Sequence, residues 1–379
     1  MKAKRSSLFV FSVISLVLIT PSFAHEIPHV HEEKEPPPLQ QMFDLSLEDL
    51  FNVKVSVASK TAFLPQDAPG IVTVYTRQDL DETGYNTLAD LADITPGYSS
   101  YSIYGERVFE TRGQKAGSYD NHKHLMLIDG IPVAHARANK VITEEELPLY
   151  FADSVEFLRG PGSALYGTSA YFGVVSVKPK ERWEYGAESE FNVALGDHDS
   201  DKRFMANLYQ TEPEARLTMN VGYYDKNPSK DPVGQIDDPL FVNFDDQKSS
   251  FFRYKYEITD GVLDGFDTGA IYMETRGGIG EFWTHTPLSH EINDITWETL
   301  VPYIRYKREL TDNLNVSSFL KYNRSEQFGV TLLVNRENFD DFDAGDSPLL
   351  VYDVIIEDWE ANFEGQHDFN DDRNLITGL

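Results

Sequence analysis

The sequence predicts a compact α+β domain followed by the antiparallel strands of a transmembrane β-barrel, an incomplete barrel of about eight to nine strands. Three observations predict it: an export signal at the amino terminus, a region where short strands and helices are punctuated by Pro-Gly and Asp-Gly turns, and a carboxyl half with period-two alternation. The chain has 379 residues, a net charge of −29 and no cysteine. So acidic a balance argues against a phosphate-backbone binder, and nucleic acid is not an expected partner. Without cysteine there is no disulfide framework, thiolate nucleophile or Cys-ligated metal site.

Lys2, Lys4 and Arg5 precede an apolar run from Leu8 to Ile19, and Ser22-Phe23-Ala24 ends it with the small residues a signal peptidase reads. Residues 1–24 therefore read as a signal peptide. The run is shorter than the ~20 residues of a spanning helix, and no later stretch is apolar enough to be one. Residues 25–43 form a His- and Pro-rich leader. His25, His29 and His31 with Glu26, Glu32 and Glu33 could ligate Zn or Cu. The plainer reading is a polar, disordered leader ending in Pro36-Pro37-Pro38, because no spacing there fixes a coordination geometry. No metal or cofactor site is assigned.

Residues 44–60 contain Val53, Val55 and Val57 alternating with polar residues, a short strand that could pair with another protein's sheet edge or serve as an ordinary edge strand. The α+β domain is expected at residues 61–180. Gly70 to Tyr75 reads as a strand, and Thr76 with Asp79 as a helix-capping box. Thr87 to Ile94 reads as an amphipathic helix stopped by Pro96-Gly97. Leu125 to Ile128 is a buried-type strand turned by Asp129-Gly130. Arg159-Gly160-Pro161-Gly162 and Ser163-Ala164-Leu165-Tyr166-Gly167 then follow a strand. They are no phosphate cradle, since no Lys-Ser/Thr follows Gly167 and the GxGxxG spacing is absent.

In order, these pieces resemble the plug domain of TonB-dependent outer-membrane receptors. The strongest matches are Leu127 to Val133 and Val155 to Gly167, supported by Ala68 to Val74, Thr87 to Leu91 with Thr95-Pro96-Gly97, and Phe172 to Val177. Ser176-Val177-Lys178-Pro179 departs from the usual Asn-Ile ending of the last motif. The resemblance implies plug-motif residues Asp129, Gly130, Arg159, Gly160, Pro161, Gly162, Tyr166 and Gly167. It also implies a TonB box at Asn52, Val53, Lys54, Val55, Ser56, Val57 and Ala58, with Lys54 departing from the commonest box. The implied partners are the energy-coupling protein TonB, outer-membrane lipid and lipopolysaccharide, and a small nutrient ligand. The plug and amino terminus would face the periplasm of a Gram-negative cell.

From residue 185 to 379 the pattern is that of strands. Phe191, Val193 and Leu195 alternate with Glu190, Asn192 and Ala194. Leu217, Met219, Val221 and Tyr223 form another apolar row, and Phe252, Tyr254 and Tyr256 face away from Arg253, Lys255 and Glu257. Periodicity alone does not choose between a soluble sandwich and a membrane barrel. The connections do: 210–215, 259–264, 310–313 and 370–373 are tight, whereas 226–249, 276–299 and 324–351 are long, as in barrels with short periplasmic turns and long external loops. Strands are expected near 186–195, 202–210, 216–225, 250–258, 265–275, 300–310, 314–323 and 352–369, with a ninth from Asn374. The loops carry Asp237, Asp238, Asp245, Asp246, Asp340, Asp341, Asp343 and Asp346, read as a solvated acidic surface. Trp283, His285 and His290 are candidate ligand contacts, or else ordinary loop residues.

A closed eight-stranded barrel is only wide enough for side chains or one small ligand, whereas the barrels this chain resembles have about twenty-two strands. The chain therefore reads as truncated, and alone is expected neither to insert nor to transport. The expected function is TonB-dependent uptake of a scarce nutrient such as an iron–siderophore complex, cobalamin or haem, without enzymatic chemistry. An adhesin or passive porin is the alternative. An outer-membrane hydrolase fits less well, because no nucleophile motif accompanies the scattered histidines.

Overall fold

The computed structural model describes residues 57, 70–103, 106–115, 123–136, 139–196, 201–226, 247–278, 294–311, 313–332, 349–370 and 373–378. All belong to one compact unit, Phe51–Leu379. Asn52 to Ser56, Ala58, the acidic loop residues, Trp283, His285 and His290 lie outside the described residues.

The α+β domain begins with β1 (Ile71–Thr76), α1 (Arg77–Thr83) and α2 (Leu88–Ile94). Thr76 and Asp79 close the capping box, the Thr76 amide donating to Asp79 Oδ2 at 2.8 Å and the Asp79 amide to Thr76 Oγ1 at 3.3 Å. Gly84 ends α1 at φ 68°, a left-handed conformation that suits a residue without Cβ. Thr87 caps α2, which buries Leu88, Ala89, Leu91 and Ala92. A hairpin unmarked in the sequence follows, β2 (Tyr98–Ile103) with β3 (Glu106–Thr111), extended by β4 (Gln114–Lys115).

The remaining domain strands are β5 (His124–Ile128), β6 (Ile131–Pro132), β7 (Ala152–Arg159) and β8 (Gly173–Pro179), with helix α3 (Ser163–Tyr166) between β7 and β8. They join β1 in a sheet of order β1-β7-β8-β5-β6, with β5 and β8 parallel. Both faces of the sheet are covered, which is why β5 reads as a continuous apolar run. One face buries Met126, Ile128, Val155, Phe157, Val175 and Val177 with α2. On the other, Leu125, Leu127, Leu158 and Val174 pack with Ala170, Tyr166 and Val57.

Nine antiparallel strands follow in chain order, each paired with its sequence neighbour. They are β9 (Gly186–Leu195), β10 (Asp201–Thr211), β11 (Ala215–Lys226), β12 (Gln247–Ile258), β13 (Phe266–Gly278), β14 (Asp294–Thr311), β15 (Leu314–Leu332), β16 (Leu349–Asn370) and β17 (Arg373–Gly378). The apolar rows face out: Val193, Phe204, Tyr223, Tyr256, Ile304, Trp359 and Phe363 are all exposed. From Leu217 to Tyr223 the outward row rises about 20 Å at ~3.3 Å per residue, close to the ~25 Å apolar band of an outer-membrane barrel. Aromatic pairs mark it, Phe266 with Tyr306 at 4.7 Å and Tyr322 with Trp359 at 4.9 Å between ring centroids.

Strands β14, β15 and β16 run longer than the apolar pattern predicts. Outside the apolar rows their outward positions turn polar, with Glu298 on β14 paired across from Glu274 and Glu326. A reading keyed to apolar alternation stops where the lipid-type residues stop. Among the described residues no helix is long and apolar enough to cross a membrane, which leaves spanning by strands open.

Candidate functional site

The apolar face of the α+β domain continues into the inner face of the large sheet. Phe251, Ile271, Met273, Val301 and Tyr303 from β12, β13 and β14 belong to the same buried cluster as Ile128, Ile131 and Phe151. Phe151 stacks on Phe251 with centroids 4.8 Å apart. At Gly222 on β11 the approach is so close that an added Cβ would stand 2.8 Å from Pro148 Cγ. The domain thus fills the space in front of these strands.

Polar contacts fix its position. Asp129 and Gly130 adopt φ values of 53° and 78°, the two left-handed residues of a tight hairpin turn joining β5 to β6. This turn projects Asp129 onto the inner wall. Its Oδ2 lies 3.0 Å from Arg305 Nη2, 3.3 Å from Arg253 Nη2 and 3.3 Å from Lys255 Nζ. Arg305 also donates to the Asp129 carbonyl through Nη1, and its Nε reaches Asp267 Oδ2 at 2.7 Å. Burial opposes ionisation of Asp129, but the charges of Arg305, Lys255 and Arg253 outweigh it and hold the carboxyl far below the usual range. Arg253 is the largest fully buried side chain described, at 1% exposure. Apart from Asp129, its side chain hydrogen-bonds only to Asn220 Oδ1, at 3.0 Å, among the described residues, and its Nε has no hydrogen-bond partner there.

A second contact runs along β15. Lys321 Nζ donates to the Pro132 carbonyl at 2.7 Å, Asn323 Nδ2 to the Ala134 carbonyl at 3.3 Å, and Ser325 Oγ accepts from the Ala136 amide at 2.9 Å. Every second residue of β15 from Lys321 to Ser325 meets every second residue from Pro132 to Ala136, because inward side chains recur with period two. His135 adds a ring contact with Trp297, 4.5 Å between centroids.

The third contact is the junction between domain and sheet. Lys180 pairs with Glu190 at 2.8 Å, Glu181 with Lys255 at 3.1 Å, and Arg216 lies over the Trp183 ring at 3.4 Å from its centroid. Nearer the start of β10, Arg203 Nη2 pairs with Glu145 at 2.5 Å. Beside it Glu144 accepts from the Arg107 amide at 2.9 Å. Burial first and Glu146 second push the Glu144 carboxyl up to about 7, against the pull of Arg107. Burial alone pushes His124, bonded to Thr111 Oγ1 at 2.6 Å, down to about 4, so it sits neutral among aromatic rings.

The motif residues separate into two groups. Asp129 and Gly130 lie at the end of the sheet that carries Val177, whose carbonyl accepts the Asp129 amide at 3.0 Å. Arg159, Gly160, Pro161, Gly162, Tyr166 and Gly167 lie at the opposite end, beside Gly173. The second group builds a turn: Gly160 has φ 109°, the Gly162 amide donates to the Ala170 carbonyl at 2.8 Å, and an added Cβ at Gly162 would stand 2.8 Å from Val174 Cγ2. Its glycines answer backbone geometry. Tyr166 covers the apolar cluster on that face. Val57, of the segment read as a partner strand, is buried in the same cluster, and its amide donates to Glu156 Oε2 at 2.8 Å. The cations of β12 and β14 were visible in the sequence only as the polar side of alternating strands.

Comparison with known proteins finds a family match for the α+β domain and fold likenesses for the rest. Residues 65–174 match the family described as TonB-dependent Receptor Plug Domain. The vitamin B12 transporter BtuB of Vibrio cholerae is 27% identical over 172 residues, covering 44% of this chain and 27% of that protein. BtuB of Vibrio vulnificus is 21% identical over 297 residues, covering 75% of this chain and 42% of that protein. The chain thus spans less than half the length of these relatives. Among solved structures, the pyoverdine outer-membrane receptor FpvA of Pseudomonas aeruginosa PAO1 superposes with a TM-score of 0.64 at 16% identity, over 86% of this chain and 48% of FpvA. A variant of the ferric enterobactin receptor PfeA of Pseudomonas aeruginosa superposes with a TM-score of 0.61 at 16% identity, over 86% of this chain and 50% of PfeA. These likenesses carry the fold, a plug followed by antiparallel barrel strands.

Proposed function

We propose that this chain, whose residues 65–174 match the plug domain of TonB-dependent receptors, is part of such a receptor: a protein of the outer membrane that takes up a scarce nutrient by energised transport and performs no covalent chemistry. The ligand class is an iron–siderophore complex, cobalamin, haem or a similar molecule. Relatives and structural neighbours named for vitamin B12, pyoverdine and enterobactin support that range. The observation that carries the reading is the seating of the plug: apolar packing on β12 to β14 and three sets of polar contacts block the inner face. A barrel stopped in this way passes a ligand only if work is done on the plug. In this reading that work comes from TonB, which pairs as a strand with Asn52 to Ala58 on the periplasmic side.

Deleting residues 52–58 from the full-length gene product tests the reading. Ligand binding to whole cells is expected to persist while energised uptake falls to the level of a strain lacking TonB. Uptake unchanged by the deletion would sink the assignment. Steady ion conductance in a planar bilayer without TonB would instead favour a passive pore.

A further inference from the structure

Asp129 is a plug residue, yet its carboxylate completes a charge cluster that otherwise belongs mostly to the barrel wall. Arg216, Arg253, Lys255 and Arg305 supply four cations, and Glu181, Glu257, Asp267 and Asp129 supply four carboxylates. Glu257 and Asp267 sit on the wall strands themselves, and Glu181 sits in the junction that Lys180 and Trp183 hold to the wall. Only Asp129 leaves if the plug turn moves away. The cluster then carries one uncompensated positive charge, centred on Arg253, which has no other acidic partner among the described residues. With the plug seated Arg253 is 1% exposed, and a guanidinium so enclosed is costly without an anion. Its unpartnered Nε adds an unused donor.

We propose that Arg253, Lys255 and Arg305 form an anion-binding station on the transport path, occupied at rest by the Asp129 carboxylate and, once the plug is displaced, by an anionic group of the nutrient. The station selects ligands bearing a carboxylate, catecholate or phosphate group over neutral ones. The plug acts here as a tethered competitor: the ligand group that replaces Asp129 restores the charge balance that plug movement removes. This inference names the ligand chemistry of the transport reading above and rests on it, whereas the anion cradle itself can be tested without transport.

The first experiment uses purified full-length protein and acetate as the probe. Asp129→Gly keeps the left-handed backbone unstrained and vacates the carboxylate position. In this variant the urea midpoint for plug unfolding, followed by limited proteolysis, is expected to rise with acetate but not with chloride at equal ionic strength. Wild-type protein should show no such difference, and the double variant D129G/R253Q should lose it. Equal responses to acetate and chloride in D129G, or an unchanged acetate response in D129G/R253Q, would overturn the station.

The second experiment uses cells fed a trianionic ferric tris-catecholate, a neutral ferric trihydroxamate or cobalamin, whose phosphodiester is anionic. TonB-dependent uptake is expected for an anionic probe, falling at least tenfold in Arg253→Gln with surface binding retained. Uptake of the trihydroxamate alone, or uptake indifferent to R253Q, would overturn the role in transport. No TonB-dependent uptake of any probe would overturn the transport reading, and the acetate response would then decide the cradle by itself.

Discussion

Glu144 places a carboxyl where burial and the neighbouring Glu146 both oppose ionisation, and its pKa stands at about 7 in the folded chain against an ordinary 4.5. A raised acid binds more protons folded than unfolded, so stability falls as pH rises between those two values and levels off above them. Glu144→Gln removes the titrating group. Relative to the parent, its unfolding midpoint should lose the part of the decline between pH 4.5 and 7 that Glu144 contributes; parallel curves would show that Glu144 does not titrate in this range. Gly173 gives a steric counterpart. A Cβ there would stand 2.0 Å from the Tyr98 hydroxyl, which donates to the Leu158 carbonyl at 2.8 Å. Gly173→Ala must break that bond or shift β8, and a loss of about 1–3 kcal/mol in plug stability is expected. Denaturant unfolding of the full-length protein measures it; a loss below ~0.5 kcal/mol would mean that the site relaxes freely. At this scale the sequence is only partly legible. Asp129-Gly130 announces a turn by residue type alone, but Arg253 and Arg305 meet it from 124 and 176 positions away, and no local pattern encodes that meeting.

At the level of elements, the strands of the large sheet are legible because one face carries exposed apolar residues and the other is largely polar, except where β12 to β14 pack on the plug. Alternation records that difference directly. Hairpin β2–β3 was not legible, since Tyr98-Ser99-Ser100-Tyr101 alternates only weakly and draws its order from Tyr98 packing on Phe109 and Phe157. The contact between β15 and residues 132–136 shows how an element can be positioned without joining a sheet. Side chains of Lys321, Asn323 and Ser325 supply the hydrogen bonds that a neighbouring strand's backbone would otherwise supply. Ser325→Ala removes the acceptor of the Ala136 amide. With a net hydrogen-bond contribution of about 1 kcal/mol, exchange of that amide should quicken about fivefold. Amides of β5 that bond to β8 should keep their rates. A uniform increase across both segments would mean that the contact supports the whole plug rather than this edge.

For the whole molecule the decisive question is what closes the sheet. Strands β9 and β17 bound it, and each has a neighbour on one side only among the described residues. About half the backbone groups of β9 therefore point away from β10. On the same strand Phe191, Val193 and Leu195 are 61, 66 and 71% exposed, a surface suited to lipid. Hydrocarbon tolerates the side chains but not unpaired amides and carbonyls, so an open edge does not persist in a bilayer. The structural neighbours FpvA and PfeA are about twice as long as the part this chain matches. In full-length gene product reconstituted into nanodiscs, the outward-pointing amides of β9 should thus be as protected from hydrogen exchange as those bonded to β10. Detergent removal followed by mild urea should expose both sets together, as one cooperative wall. If the outward set exchanges at solvent rates while β10-bonded amides remain protected, β9 is a true edge, and the chain is not part of a lipid-embedded barrel.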